Sequence, residues 1–148
     1  MLLLLILLPL AGALPLLLTR SESESGLGRW SCAVTGLTLL VMVLAVCTRS
    51  GESLDIPLCG IHFTLDGFRC IYGLVVSFMW FVSALLTPQY FRGHHHLRRY
   101  HFFFLLCLSF TMGVFLSADL KTTFLFFELM SLGSYVWVVQ EETPEALE

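Results

Sequence analysis

The stretch TTFLFFELMSLGSYVWVV, residues 122 to 139, carries one carboxylate, Glu128, in an otherwise apolar and uncharged run. Placing an ionised acid near the centre of a bilayer costs at least about 2.5–3.5 kcal/mol, so such residues almost always face a protein interior or a water-filled path. That makes Glu128 a candidate for moving a proton or another cation. On a helix the groups sharing its face lie three, four and seven positions away: Leu125 and Ser131, Phe124 and Leu132, Lys121 and Tyr135. Lys121 would stand about two turns, roughly 10 Å, from Glu128, too far to pair with it directly. Ser131 and Tyr135 extend a polar stripe from Glu128 toward the other end of the helix. The structural alternative is a carboxylic acid kept protonated by apolar surroundings and hydrogen-bonded to a neighbouring helix as packing glue.

Two other groups of residues invite chemistry. The cluster RGHHHLRRYH places His94, His95, His96 and His101 close together, where they could bind a metal or relay protons. Adjacent histidines in a short loop point in different directions, and Arg98 and Arg99 beside them repel a cation. The expectation is a solvated loop whose arginines meet anionic lipid headgroups. Five cysteines, Cys32, Cys47, Cys59, Cys70 and Cys107, form no C-x-x-C pair and no metal-ligand spacing. Four fall in or beside apolar runs, where a cysteine acts as a small apolar filler. No metal or cofactor is expected.

The elements that must position Glu128 follow from composition. The chain has 148 residues, 57% hydrophobic and 13% charged, with a mean hydropathy of +0.83, against about 45–50% apolar and about 25% charged in soluble domains. This is the composition of a membrane protein, with no room left for a soluble domain. The net charge of −3 and the scatter of basic residues through short loops exclude a nucleic-acid partner. Runs of about 20 apolar residues match the hydrocarbon thickness, and five can be marked out, at about 1–18, 30–47, 66–87, 100–117 and 120–139. The expectation is therefore an all-α membrane protein forming a single transmembrane domain. The first run begins at Met1 with no Lys or Arg before it and ends in LLLTR, which predicts a retained helix rather than a cleaved signal peptide. Pro9 and Pro15 within it are tolerated where neighbouring helices re-satisfy the freed carbonyls. Between the second and third runs, TRSGESLDIPLCGIHFTL has the Gly, the Pro and the alternation of short extended structure.

Orientation follows from Lys and Arg, which accumulate in cytoplasmic loops. Arg20, Arg29, Arg92, Arg98 and Arg99 would lie on one side, against Arg49 and Lys121 on the other, with Arg69 near the start of the third run. The N-terminus is expected outside and residues 140–148 in the cytoplasm. That last segment, QEETPEALE, is either an acidic tail or the start of a truncated helix, with Thr143 as N-cap, Pro144 at the first helical position and Glu145 in the first turn.

Three segments together resemble one family. IPLCGIHFTLDGFRCIYGLVVSFMWFVSALLTPQYF is similar to an apolar strand, a D-G pair and a span ending at aromatics. GVFLSADLKTTFLFFELMSLGSYVWVV is similar to a fourth-to-fifth helix turn followed by an E-L-M-S helix, and EETPEALE to the linker into a sixth helix. The family is that of the antiporter-like membrane subunits of respiratory complex I, membrane-bound hydrogenases and multisubunit Na+/H+ antiporters, and the resemblance covers about residues 54–148. It implies that Glu128 is the fifth-helix acid that modulates the charge of a lysine on a later broken helix and so drives proton transfer. Asp66 and Gly67 match the family's D-G pair, which looks structural. Phe127 stands where the family often has Trp, a change of packing rather than chemistry. Such subunits have about fourteen helices in the family pattern, whereas this chain has five apolar runs and one lysine, Lys121, at a helix end.

The expected function is thus a split fragment that contributes Glu128 to proton or Na+ translocation in the inner (cytoplasmic) membrane. Its partner would be a larger antiporter-like subunit supplying the later helices and the lysine. The alternative is a structural or assembly subunit with no ion path of its own. Catalysis by the chain alone is not expected, since it has no nucleotide loop and no nucleophile-and-base pair; oxidoreductase chemistry would belong to partner subunits.

Overall fold

A computed structural model describes residues 1–18, 24–48, 53–56, 60–90 and 97–139. They form helices α1 (Leu2–Leu18) and α2 (Glu24–Cys47), a hairpin of strands β1 (Ser53–Ile56) and β2 (Ile61–Thr64), and helices α3 (Gly67–Tyr90), α4 (Leu97–Leu116) and α5 (Leu120–Val139). Three segments, Gly26–Cys47, Gly67–Thr87 and Leu97–Leu116, are long and apolar enough to cross a membrane. Helix α1 is apolar but has only 17 residues, and the 20 residues of α5 are interrupted by Lys121 and Glu128. The chain is a multi-pass membrane protein.

Helix α4 is the centre of the bundle, packing against α1, α2, α3 and α5. It buries residues on most of its circumference, among them Phe104, Leu105, Leu108, Met112 and Leu116. Toward its C-terminal end, Leu108, Met112 and Leu116 pack with Leu2, Leu5, Met42, Ala45, Phe63 and Leu65. Toward its N-terminal end, Phe104 and Leu105 pack with Ala13, Leu16, Leu27, Val34 and Ala84. Dense packing matters here because lipid tails are as apolar as leucine, so close contact and hydrogen bonds hold helices together.

Small residues and hydroxyls provide both. Gly113 lets α5 approach so closely that an added Cβ would lie 2.2 Å from Cδ1 of Phe126. Ser109 of α4 donates to the carbonyl of Ile6 in α1 at 2.7 Å, a carbonyl within the first turn before Pro9. Indole N–H groups bridge two more helix pairs, Trp30 to the Gly12 carbonyl at 2.9 Å and Trp80 to the Phe104 carbonyl at 3.2 Å. The buried hydroxyls of Thr35, Thr38, Ser77 and Thr111 donate back to carbonyls of their own helices, which satisfies them without a neighbour.

The extended structure expected before α3 is an antiparallel hairpin in which Ser53 pairs with Thr64 and Ile56 with Ile61. Gly60, at φ +60°, supplies the left-handed residue of its turn. A bridge between Phe63 and Ser117 lays the hairpin on the α4–α5 connection.

Because Gly113 faces the Phe126 ring, Gly113→Leu should destabilise the bundle by about 1–3 kcal/mol, the usual cost of overpacking. Thermal unfolding in mild detergent should show a lowered Tm for Gly113→Leu, partly restored when Phe126→Ala is added. An unchanged Tm in the single variant would mean that the α4–α5 contact does not bear on stability.

Candidate functional site

Glu128 lies on the ninth position of α5, near the helix middle, on the side turned away from α4. The residues around it on that side are large, apolar and exposed: Phe124 (63%), Leu132 (62%) and Tyr135 (67%), with Leu125 and Phe127 beside them. Lys121 is exposed on the same side one helix end away, and Ser131 sits at the margin, half-buried, its carbonyl accepting from Ser134 Oγ at 2.9 Å. The opposite side of α5 carries Thr122, Phe126 and Gly133, which face the bundle. Among the described residues, no hydrogen bond or ion pair reaches Glu128. The structure thus brings Lys121, Glu128 and Tyr135 onto one face, but it does not join them by bonds. Lys121 instead extends over the hairpin turn, its Nζ 3.1 Å from where a Cβ of Gly60 would stand.

The start of α5 is held by a cap. Asp119 precedes the first helical residue, and its Oδ2 accepts from the Thr122 N–H at 3.3 Å while its carbonyl accepts from Thr123 N–H at 3.0 Å and Thr123 Oγ1 at 2.9 Å. Bonds from Thr122 hold the Asp119 carboxyl below the usual carboxylate range. Asp66 does the same for α3. Its Oδ1 accepts from the Arg69 N–H at 2.9 Å, its Oδ2 pairs with the Arg69 guanidinium, and that guanidinium donates through Nε to the Ser117 carbonyl at 3.0 Å. The backbone N–H of Arg69, then its charge, holds Asp66 below its ordinary value. Asp66 therefore caps one helix and ties its start to the end of α4. An added Cβ at Gly67 would meet no atom within 4 Å.

His101 requires a correction. As part of the RGHHHLRRYH cluster, at the edge of the fourth apolar run, it was expected to be solvated at the headgroups, but it is buried inside the bundle, 3% exposed, with Nδ1 2.9 Å from Ser31 Oγ of α2. Its neighbours are bundle residues, and Tyr100 stacks edge-on against it. His94, His95, His96, Cys59 and the tail at 140–148 lie outside the described residues. Among those described, no group of three or more His, Cys, Asp or Glu side chains could hold a metal. Sequence reasoning missed the Asp119 cap, whose signal was an Asp directly before the apolar run, and the Asp55–His62 pair, visible only once the hairpin register is known.

No family model matches the chain. Over 154 aligned residues and 96% of its length it is 31% identical to a protein of Staphylococcus haemolyticus (strain JCSC1435) named as antiporter subunit mnhD2. The chain is homologous to the MnhD antiporter subunits. The corresponding protein of Staphylococcus aureus (strain JH9) is 33% identical over 90 residues, 60% of this chain. A chain in the structure of the membrane-bound sulfane sulfur reductase, an archaeal respiratory membrane complex, superposes with a TM-score of 0.79 at 24% identity, covering 99% of this chain. At that identity the likeness is one of fold. The chain spans only 30% and 18% of the two relatives' lengths and 31% of the solved one.

The caps carry a pH dependence with a defined sign. Both Asp66 and Asp119 are lowered from the usual 3.8, so their contribution is present above that value and is lost as pH falls through the lower folded values. Asp66→Ala should cost about 0.5–2 kcal/mol at neutral pH, the range for a lost N-cap. The Tm difference between wild type and Asp66→Ala, measured in detergent, should narrow as pH falls below about 4; a difference constant to pH 3 would contradict the assignment.

Proposed function

We propose that this chain is the α1–α5 part of an antiporter-like membrane subunit, and that Glu128 contributes charge to proton or Na+ translocation in a multisubunit antiporter or respiratory membrane complex. The observation that carries this reading is the outward placement of Glu128 on α5, among large apolar side chains and away from every helix described. A carboxylate in that setting is too costly to leave against lipid. Helices equivalent to the remaining length of the relatives would cover it, and a basic group on one of them would give the carboxylate a charge to respond to. Ser131, Tyr135 and Lys121 border the same face and would line the polar path toward either end. Asp66 and Gly67 stand apart from this face and serve the start of α3.

In this reading the N-terminus lies outside, the connections at 19–23 and 91–96 and the segment after Val139 lie in the cytoplasm, and the membrane is the inner (cytoplasmic) one. The arginine distribution supports it. The hairpin then faces outside, since the end of α2 touches Met1 and the hairpin rests on the α4–α5 connection.

Glu128→Gln keeps size and much of the hydrogen bonding but removes the charge, so it should leave assembly intact and reduce ion movement at least about tenfold, or abolish it. Glu128→Asp keeps the charge one methylene back and should retain part of the activity. Ion uptake by vesicles carrying each variant, with complex content checked in the same preparation, is the measurement. A purely structural carboxylic acid predicts the opposite order, because a neutral Gln imitates a protonated Glu better than a shorter Asp does.

Topology has its own check. In a background cleared of native cysteines, a membrane-impermeant thiol reagent added outside should react with Gly51→Cys and miss Ser23→Cys and Gly93→Cys. The reverse pattern would invert the orientation.

A further inference from the structure

The corner between α4 and α5 is short: Ser117, Ala118 and Asp119 join Leu116 to Leu120. Ser117 follows the last residue of α4, so its carbonyl is among those that a helix end leaves without an intrahelical partner. Beside hydrocarbon such a carbonyl needs a donor. Arg69, in the first turn of α3, supplies it, donating through Nε to the Ser117 oxygen at 3.0 Å. A cation there also suits the negative end of the α4 dipole. The guanidinium is itself held in place, since its Nη1 pairs with Asp66 Oδ2 while Asp66 Oδ1 accepts the Arg69 N–H at 2.9 Å.

The same corner fixes α5. Ser117 Oγ is hydrogen-bonded to Thr123 Oγ1 in the first turn of α5, and the Thr123 N–H donates to the Asp119 carbonyl at 3.0 Å. On the hairpin side, Ala118 N–H donates to the His62 carbonyl at 2.7 Å, and Phe63 bridges Ser117 while its ring lies 5.6 Å from that of Phe126. The hairpin runs directly into α3 through Leu65 and Asp66. Both anchors of the corner therefore belong to one unit. Between Asp119 and Glu128, α5 contains no proline and no glycine. A displacement of its start is thus carried undiminished to Glu128, nine residues or about 13 Å along the axis.

We propose that Arg69 is a positioning residue for ion movement: held by Asp66 and bonded to the Ser117 carbonyl, it sets the height of the α4–α5 corner and with it the height of Glu128 in the membrane. The geometry calls for arginine in particular. Its planar fork serves a carboxylate through Nη1 and a carbonyl through Nε at once, whereas a lysine ammonium is a compact point charge without that fork. The consequence for ion movement rests on the reading of Glu128 given above. The placement of α5 by Arg69 does not.

Pulsed dipolar electron paramagnetic resonance on the full chain in lipid nanodiscs tests this. Nitroxides at Leu86→Cys, toward the far end of α3, and at Leu120→Cys, the start of α5, both exposed, read the height of α5 along the bundle axis in a background cleared of native cysteines. Arg69→Gln should shift the mean distance by at least about 1.5 Å, one residue's rise, and Arg69→Lys should shift it less, in the same direction. Ion uptake by vesicles, normalised to complex content, should fall at least about threefold in Arg69→Gln, since a misplacement of about 1 Å can cost far more, and less in Arg69→Lys. The wild-type distance in Arg69→Gln, or in Arg69→Lys where the first variant fails to fold, overturns the proposal. So does a lowered Tm at the wild-type distance, which would leave Arg69 a purely stabilising residue, and so does a shifted distance with wild-type uptake. Uptake at the wild-type rate in Glu128→Gln would instead remove the reading of Glu128, and the distances alone would then decide whether Arg69 places α5.

Discussion

The cost of a charge in hydrocarbon orders this molecule. Asp55, Asp66, Arg69, Asp119 and Lys121 gather at the hairpin end of the bundle, where α3 and α5 begin and α4 finishes. There the acids cap helices or pair with bases, and water is close. Arg29, Arg98 and Arg99 lie toward the other end. Among the described residues Glu128 alone breaks the rule, halfway along a helix and on its outer side. Everything else about α5 is compatible with lipid, including its exposed phenylalanines and leucines. The carboxylate is not, and the proposed function therefore has protein cover that side of the helix.

Helix α4 makes such an arrangement possible by packing against α1, α2, α3 and α5, while α2 also packs on α1 and α3. Its bulky residues fill both ends of the core, and its small ones, Ser109 and Gly113, admit α1 and α5 at close range. Thr35, Thr38, Ser77 and Thr111 bond carbonyls of their own helices, and Ser109 bonds the Ile6 carbonyl of α1, so these buried hydroxyls are satisfied without an ionised group. His101 with Ser31 fits the same pattern, as a polar joint between α4 and α2. The outer side of α5, by contrast, has Lys121, Glu128 and Tyr135 in line.

Much of this was legible in the sequence, and the gaps have physical causes. Hydropathy located all five helices, because length and apolarity are local properties. It placed the start of α2 at Trp30 rather than Glu24 and the start of α4 at Tyr100 rather than Leu97, since polar first turns extend beyond the apolar run. The alternation in IHFTL announced a strand and SLDI alternates as well, but two four-residue strands do not fix their own pairing, so the register of Ser53 with Thr64 was not legible. His101 was misplaced because its neighbours in sequence are basic, while the partner that buries it, Ser31, is 70 residues away. Which side of α5 faces outward was equally hidden. The helix is apolar nearly all round, so periodicity distinguishes no face, and only the docking of Phe126 against Gly113 reveals it.

The central claim, that the Glu128 side of α5 is covered by protein rather than lipid, is open to one direct measurement. A photo-crosslinking amino acid placed at Leu132, and separately at Phe124, would be irradiated in native membranes and its adducts identified by mass spectrometry. Both positions should yield crosslinks to a polypeptide helix, with the adduct at Leu132 on a segment carrying a basic residue within about two turns. Adducts to lipid alone at both positions would contradict the account.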